Sequence, residues 1–278
     1  MNEIFERWLK ELYDKTPRRR YVVGEDNFKY VPLEPKKVIL LGAPPAFAKT
    51  CLVMQWGFDA LRYDPSLRMV VCNVEMPSSE LLNRQLARMA KITVEAIEEK
   101  TCLHEERVKD AIKEVLELES RIRFVEFPFT LENVAKCDEG FLGHIWILDY
   151  IQRIPTNDEP KDLRLQLVEA MNNIRQAAND GRAIIVVSEV NRGNGNKPYE
   201  NVGLGSFKES GALEYGADTV YVLNKVDGSE RDMVAKNEKS RYSKKRDIDL
   251  QFAFPEFIPS KYSKMTQEEY NEMGWEAK

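Results

Sequence analysis

The sequence has few of the residues that most often bind catalytic metals or form disulfides. Its 278 residues include only two histidines, His104 and His144, and no cysteine belongs to a C-x-x-C pair. This scarcity argues against a zinc cluster and a histidine triad, and it favours reduced thiols in an intracellular protein. The four cysteines are Cys51, Cys72, Cys102 and Cys137.

Long apolar runs and a strong excess of either charge are also missing. No stretch of 18 apolar residues occurs, and Met1–Tyr13 is too charged for a signal peptide, so we expect a cytoplasmic protein with no membrane association. The net charge of −5 argues against indiscriminate coating of nucleic acid, although an acidic exterior can accompany a basic channel. The length permits one large hydrophobic core, and we expect one main domain.

What the sequence does contain is an apolar strand that runs into a loop ending in Lys49-Thr50, followed by a helix. In a P-loop, backbone N–H groups surround the phosphates, the lysine reaches the β and γ oxygens, and the Thr hydroxyl binds Mg²⁺. The two glycines of G-x-x-x-x-G-K-[ST] are replaced here, so a chance strand–turn–helix is the alternative. The predicted ATP-binding residues of the loop are Ala43, Pro44, Pro45, Ala46, Phe47, Ala48, Lys49, Thr50 and Cys51.

Three later apolar strands end in carboxylates, namely Glu75, Asp149 and Glu189. The carboxyl ends of parallel strands meet at one edge of a sheet, which is where α/β proteins bind ligands. Asp149 is predicted to hold the Mg²⁺ together with Thr50. For Glu75, a helix-terminal carboxylate before Pro77 is the structural alternative to a catalytic role.

Strand-like and helical patterns alternate through most of the chain, which predicts an α/β fold with a mostly parallel twisted sheet flanked by helices. The last three strands follow one another closely and predict an antiparallel C-terminal extension. The predicted strands are 38–42, 69–75, 122–127, 145–150, 183–188, 219–223, 233–236 and 248–254. The predicted helices are 2–13, 50–63, 78–90, 105–120 and 161–179.

Six motifs in order carry a resemblance to a known family. They are Pro-x-x-x-Lys-Thr, Val-Glu-Met, Leu-Asp-Tyr-Ile-Gln, Ser-Glu-Val-Asn-Arg-Gly, Lys-Glu-Ser-Gly-Ala-Leu-Glu and Val-Ala-Lys-Asn. Over residues 35–255 this set resembles the ATPase domain of DnaB-type replicative helicases. The resemblance implies a RecA-like P-loop ATPase domain at 35–258, after an N-terminal helix and linker at 1–34 and before a tail at 259–278, without the separate N-terminal domain of the cellular enzymes.

The resemblance also implies a function. ATP and Mg²⁺ would be the cofactors of a hexameric ring that translocates 5′→3′ on single-stranded DNA during replication, with a primase or loader as a possible partner. Glu75 would polarise the attacking water, and Lys236 would reach the γ-phosphate of the neighbouring subunit. The family's companion arginine is Glu238 here, so Arg241 is our candidate for the second cation acting between subunits.

Other residues are assigned by the same resemblance. Glu189 stands where the family usually has a glutamine that senses the γ-phosphate, and a carboxylate there needs a cation beside it. Lys208, Glu209 and Gly211 match positions that touch the single-stranded DNA backbone. Arg192 and Lys197 lie in a glycine-rich stretch, 191–206, which resembles the loops that line the family's central channel.

Two alternatives remain open from the sequence. One is a recombinase or annealing ATPase that coats single strands as a filament. The other is a nucleotide-binding assembly protein with reduced hydrolysis, which Ala48, Glu189 and Glu238 together suggest.

Two surface segments have competing interpretations as well. The apolar face of the N-terminal helix either packs on its own domain or, as we favour, docks on an adjacent subunit; it comprises Ile4, Phe5, Trp8, Leu9 and Leu12. The basic segment 239–246 is either a solvated hairpin tip or a contact for phosphates.

Overall fold

The computed structural model describes residues 2–14, 19–155, 162–190, 202–207, 211–226, 229 and 231–259. These residues contain nine strands in one sheet: β1 (Val38–Ala43), β2 (Met69–Asn73), β3 (Ile122–Phe124), β4 (Ile145–Asp149), β5 (Ala183–Glu189), β6 (Thr219–Lys225), β7 (Asp232–Ser240), β8 (Ile248–Ala253) and β9 (Glu256–Pro259). The described helices are α1 (Glu3–Tyr13), α2 (Lys49–Tyr63), α3 (Ser78–Ala90), α4 (Val94–Glu98), α5 (Glu106–Glu117), α6 (Leu131–Asp138), α7 (Leu163–Asn179) and α8 (Gly211–Gly216).

The strand order is β3-β2-β4-β5-β1-β6-β7-β8-β9. Strands β1 to β6 pair in parallel, and β7, β8 and β9 extend the sheet in antiparallel fashion. The predicted α/β architecture and its antiparallel extension are therefore confirmed. The eight predicted strands all exist, whereas β9 and the short helices α4, α6 and α8 were not predicted.

The central strands are apolar along their whole length because both faces of the sheet are covered. Every residue of β1 is buried, and its side chains alternate between two cores. On one face Ile39 and Leu41 pack with Trp56 of α2, and on the other Val38 and Leu40 pack with residues of α7 such as Met171.

The segment that precedes residue 34 contributes to the main core. Much of the segment expected to be a linker packs against the sheet, because its apolar side chains belong to the main core. The buried side chains are Tyr21, Val23, Phe28, Val31 and Leu33. The boundary at residue 34 stays a prediction, and the charged residues around these side chains concealed their burial in the sequence.

Helix α1 keeps its apolar face uncovered. Asn2 caps it by accepting a hydrogen bond from the N–H of Ile4 at 3.0 Å. Phe5 and Trp8 are 57% and 54% exposed, and Leu12 is 59% exposed. Within the described parts of the chain these side chains stay exposed, which disfavours packing on the same domain and leaves docking on an adjacent subunit as a prediction.

Candidate active site

The P-loop joins β1 to the buried helix α2 through a loop with two residues in the left-handed region. Ala46 has a φ of 62° and Ala48 a φ of 55°. Ala48 immediately precedes α2, at the position where the strict pattern has glycine, and left-handed backbone explains why glycine suits it. The chain thus adopts the strained loop conformation with alanine in place of glycine.

Lys49 and Thr50 begin α2 and are both buried. The Lys49 ammonium donates a hydrogen bond to the carbonyl oxygen of Pro44 at 3.1 Å. The side chain therefore folds back over the loop that it terminates. Burial lowers the pKa of Lys49, while the carboxylates of Glu189, Asp149 and Glu75 act to raise it, in that order.

Asp149 stands at the end of β4 in a buried hydrogen-bond network. Its Oδ2 accepts hydrogen bonds from the Thr50 hydroxyl at 2.5 Å and from the Asn73 amide at 2.9 Å. Parallel pairing aligns Asn73 with Asp149, which is why the amide lies within reach. Sequence analysis did not single out Asn73, although its place at the end of β2, two residues before Glu75, was a usable signal.

Burial raises the pKa of Asp149 from its ordinary value of 3.8 to about 6. The Thr50 hydrogen bond and the Lys49 charge favour the carboxylate, whereas the nearby Glu75 disfavours it. Keeping the Asp149 carboxylate charged beside Thr50 therefore costs desolvation free energy. A cation bound there would relieve that cost.

Asn73 also fixes the backbone that carries Glu75. Its Oδ1 accepts from the N–H groups of Glu75 and Met76 at 2.9 and 2.8 Å. The Glu75 side chain is exposed at the carboxyl edge of the sheet, and its charge acts on both Lys49 and Asp149. The structure therefore brings Glu75 into the same site as the P-loop and Asp149.

Glu189 enters the site beside β1, because its register partner is Ala43. The Gln152 amide donates to the Ser188 hydroxyl at 2.7 Å and to the Glu189 carbonyl at 3.1 Å, and the N–H of Glu189 donates back to Gln152 at 3.3 Å. This clamp holds the end of β5 against the turn after β4. Gln152 was part of the quoted motif, but sequence analysis gave it no role.

Two oxygen donors that could hold Mg²⁺ lie side by side, the Thr50 hydroxyl and the Asp149 carboxylate. Hard oxygen donors in this small number suit Mg²⁺, which keeps several waters and takes the rest of its ligands from phosphates. Among the described residues, no group of three or more His, Cys, Asp or Glu could by itself hold a metal ion. The donor set therefore fits a metal that arrives with a nucleotide.

The two cations expected to act between subunits lie on or after β7. Lys236 is 55% exposed and pairs with Glu238 at 2.9 Å. Arg241 donates to the Tyr215 carbonyl oxygen at 2.5 Å and lies 3.5 Å from the buried carboxylate of Asp218. Within one chain Arg241 is thus engaged at the amino edge of the sheet, and Lys236 is the more accessible of the two.

Most of the predicted DNA-contacting residues fall outside the described parts of the chain. These are Arg192, Lys197, Lys208 and Glu209. Gly211 is described, and it begins α8. The stretch 202–207 lies against the sheet, where Asn224 fixes the backbone of Val202. The Val202 N–H donates to the Asn224 amide oxygen at 3.1 Å, and the Asn224 amide N–H donates to the Val202 carbonyl oxygen at 3.1 Å.

The sequence profile of the DnaB-like helicase C-terminal domain matches residues 29–256. The chain belongs to this family. The replicative DNA helicase DnaB of Helicobacter pylori strain J99 is 26% identical over 196 residues, which are 67% of this chain and 39% of that protein. The enzyme of the same name from Mycobacterium intracellulare is 26% identical over 186 residues, 63% of this chain and 32% of that protein. The chain thus spans well under half of the length of these curated relatives.

Solved structures show the same RecA-like fold. A DnaB-like replicative helicase, described with its interactions with primase, matches with a TM-score of 0.78 at 15% identity, covering 93% of this chain and 66% of that one. A KaiC-like protein from Pyrococcus horikoshii OT3 matches with a TM-score of 0.59 at 14% identity, covering 88% of this chain and all of that one (100%). Among the described residues, no helix combines the length and apolar character needed to cross a membrane.

Proposed function

We propose that this DnaB-like domain hydrolyses Mg²⁺-ATP to drive 5′→3′ translocation on single-stranded DNA, as part of a hexameric helicase in replication. One observation carries the proposal: Lys49, Thr50, Asp149 and Glu75 converge at the carboxyl edge of the sheet, with the Thr50 hydroxyl 2.5 Å from Asp149. Direction, ring size and a primase or loader partner rest on family membership.

Each residue has a defined task in this mechanism. The Lys49 ammonium exchanges the Pro44 carbonyl for phosphate oxygens, and the backbone N–H groups at the start of α2 face the same anion. Mg²⁺, when bound, would neutralise negative charge that develops on the phosphates. Thr50 and Asp149 supply the oxygens for it, and Glu75, held through its backbone by Asn73, accepts a hydrogen bond from the attacking water.

A neighbouring chain would supply a further cation to the phosphates bound at Lys49. Lys236 is exposed on the antiparallel extension, apart from the chain's own P-loop, and its charge is available to a second copy. The uncovered apolar face of α1 offers a docking element for the same assembly. We therefore expect hydrolysis to require association of subunits.

Mixing of inactive variants tests this function. Lys49→Ala and Glu75→Gln should each abolish ATPase activity, whereas Lys113→Ala on the exposed surface of α5 should not. A mixture of Glu75→Gln and Lys236→Ala should recover part of the activity, because some interfaces pair an intact P-loop site with an intact lysine. Full activity of Lys49→Ala, or hydrolysis by a strict monomer, would contradict the proposal.

A second candidate is a nucleotide-binding assembly protein with reduced hydrolysis. It is favoured by the ion pair between Glu238 and Lys236 within one chain, because a paired lysine is less available to the nucleotide of a neighbour. Nucleotide-dependent ring formation without turnover, in the presence and absence of single-stranded DNA, would support it. Electron microscopy of the same samples separates rings from the filaments expected of a recombinase.

A further inference from the structure

A strongly basic surface lies on the edge of the sheet opposite the nucleotide site. β7 runs antiparallel to β6, so the turn that follows Ser240 lies beside Thr219, at the amino edge of the parallel strands. Lys37 occupies this edge as well, because it directly precedes β1. With about 3.3 Å per residue, β1 separates this edge from the P-loop by roughly 20 Å.

The turn between β7 and β8 is exposed at every position from 241 to 247. A contact of 2.8 Å between the Ser240 and Ser243 hydroxyls tightens it. Its eight-residue basic segment, 239–246, contains five Lys or Arg and no Asp or Glu, although the whole chain carries a net charge of −5. Positive charge is therefore concentrated in this segment, in contrast to the negative net charge of the whole chain.

Two tyrosines stand among these cations. The Lys37 ammonium lies 3.1 Å from the centroid of the Tyr242 ring, and the Arg246 guanidinium carbon lies 4.2 Å from that of Tyr30. Tyr242 is nevertheless 57% exposed, so much of its ring remains accessible. The charge of Lys29, more than any other cause, lowers the pKa of Tyr30, which reflects the positive field at this surface.

Three carboxylates lie near this surface, against the five cations of the segment 239–246, and one of them, Asp218, pairs with Arg241 of that segment. Glu34 pairs with Arg20 at 2.9 Å, and Asp247 accepts the backbone N–H of Asn237 at 2.8 Å. Asp218 is buried and accepts from Arg175 at 2.5 Å. Among the described residues, Lys244 has no ion-pair partner, so its charge is left for an external anion.

We propose that Lys29, Tyr30, Lys37, Tyr242, Lys244 and Arg246, here termed the basic edge, bind single-stranded nucleic acid. Exposed cations would contact successive phosphates, and the accessible Tyr242 ring would stack on an unpaired base. This combination of positive charge and aromatic faces is what sequence-tolerant single-strand binding requires. A duplex fits less well, because its bases are already stacked. The basic edge is separate from the glycine-rich loop 191–206 and does not depend on the proposed ATPase function.

Fluorescence anisotropy with a labelled 20-nucleotide oligo(dT), without nucleotide, tests the basic edge. The Lys244→Ala/Arg246→Ala protein should bind roughly tenfold more weakly at 50 mM salt, and its slope of log affinity against log salt should fall by about 1.4, the value for two phosphate contacts on a single strand. The matched control Lys109→Ala/Lys113→Ala removes the same charge from α5 and should bind as the unaltered chain does.

Stacking is tested separately at one ring. Tyr242→Ala should weaken binding about fivefold or more, and Tyr242→Phe should retain it. Oligo(rU) should bind as oligo(dT) does, and a 20-base-pair duplex should bind more weakly. Thermal melting verifies that each variant is folded.

Three results would overturn the assignment: equal losses in the two double variants, unchanged binding in Lys244→Ala/Arg246→Ala, or preference for the duplex. Loss of ATPase activity with unchanged oligonucleotide binding would also overturn it, because the turn would then serve a neighbour's nucleotide. Absence of ATPase activity in the unaltered chain would contradict the proposed function alone, since the binding assay contains no nucleotide.

Discussion

Neutralising Asp149 is expected to stabilise the nucleotide-free protein while abolishing its ATPase activity. In Asp149→Asn the side chain keeps its shape, and its amide oxygen can still accept hydrogen bonds from Thr50 and Asn73. What it loses is the buried negative charge. The variant therefore separates the cost of holding the carboxylate from the contacts that surround it.

The size of the effect follows from the raised pKa. Asp149 has a pKa of about 6 in the folded protein against an ordinary 3.8. The pKa of Asp149 is higher in the folded protein. Between about pH 4 and pH 6, the folded protein therefore still holds a proton that the unfolded chain has released. Stability is therefore lost as the pH rises through this window. At about 1.4 kcal/mol per pH unit, the cost reaches about 3 kcal/mol at pH 7.

The assay is urea unfolding of both proteins from pH 4.5 to pH 8 without nucleotide. Asp149→Asn should gain stability over the unaltered chain as the pH rises to 6.5 and then keep a constant advantage of up to about 3 kcal/mol. Mg²⁺-ATP should stabilise the unaltered chain more than the variant, because the carboxylate that we propose as a metal ligand is present only in the unaltered chain.

A second buried carboxylate, Asp59, serves as the control, because the same substitution there should lower the stability of the folded protein. Asp59 receives two hydrogen bonds from the buried Arg88 guanidinium, at 2.9 and 3.1 Å. Asp59→Asn leaves that cation without its charge partner, and a loss on the order of 3 kcal/mol is expected. If Asp149→Asn is as destabilising as Asp59→Asn at pH 7, the desolvation argument is refuted.

Three further changes concern residues that depart from the family pattern. Ala48→Gly should leave stability within about 1 kcal/mol, because relief of the left-handed backbone offsets the extra chain entropy, and ATP affinity measured by titration should stay equal or rise. Glu238→Gln should raise steady-state ATPase activity, because Lys236 loses its partner in the same chain; a fall would show that the pair organises the interface. Glu189→Gln should tighten ATP binding by removing a negative charge near Lys49, and calorimetry showing weaker binding would contradict this.

The parallel core was predictable because its strands are buried on both faces. A strand such as β1 or β5 is then apolar for most of its length, and its end is marked by the first polar residues, as at Ser188 and Glu189. The P-loop was less predictable. Because both glycines are replaced, Lys49-Thr50 after an apolar strand left a chance strand–turn–helix open, and the motifs that follow it in order favoured the P-loop.

What sequence alone did not reveal depends on contacts between distant segments. Strand β9 has four residues and follows Pro255, so no periodicity marks it; its place depends on Gln55 of α2, which accepts from the N–H of Phe257 at 2.8 Å. Asn73 became recognisable as a site residue only when sheet register placed it opposite Asp149. The packing of Tyr21 and Phe28 on the core was hidden by the charges around them.

The carboxylate at position 189 raised a physical objection to phosphate binding, and the structure provides an answer. Among the charges acting on Lys49, that of Glu189 is the strongest of those that favour its protonated form. Lys49 is buried, and without such anions desolvation would favour loss of its proton. Glu189 therefore helps to keep the P-loop ammonium charged before a nucleotide arrives. In the proposed mechanism, an incoming triphosphate carries more negative charge than one carboxylate and would bind the Lys49 ammonium, while the hydrogen bonds of Gln152 hold the Glu189 backbone in place.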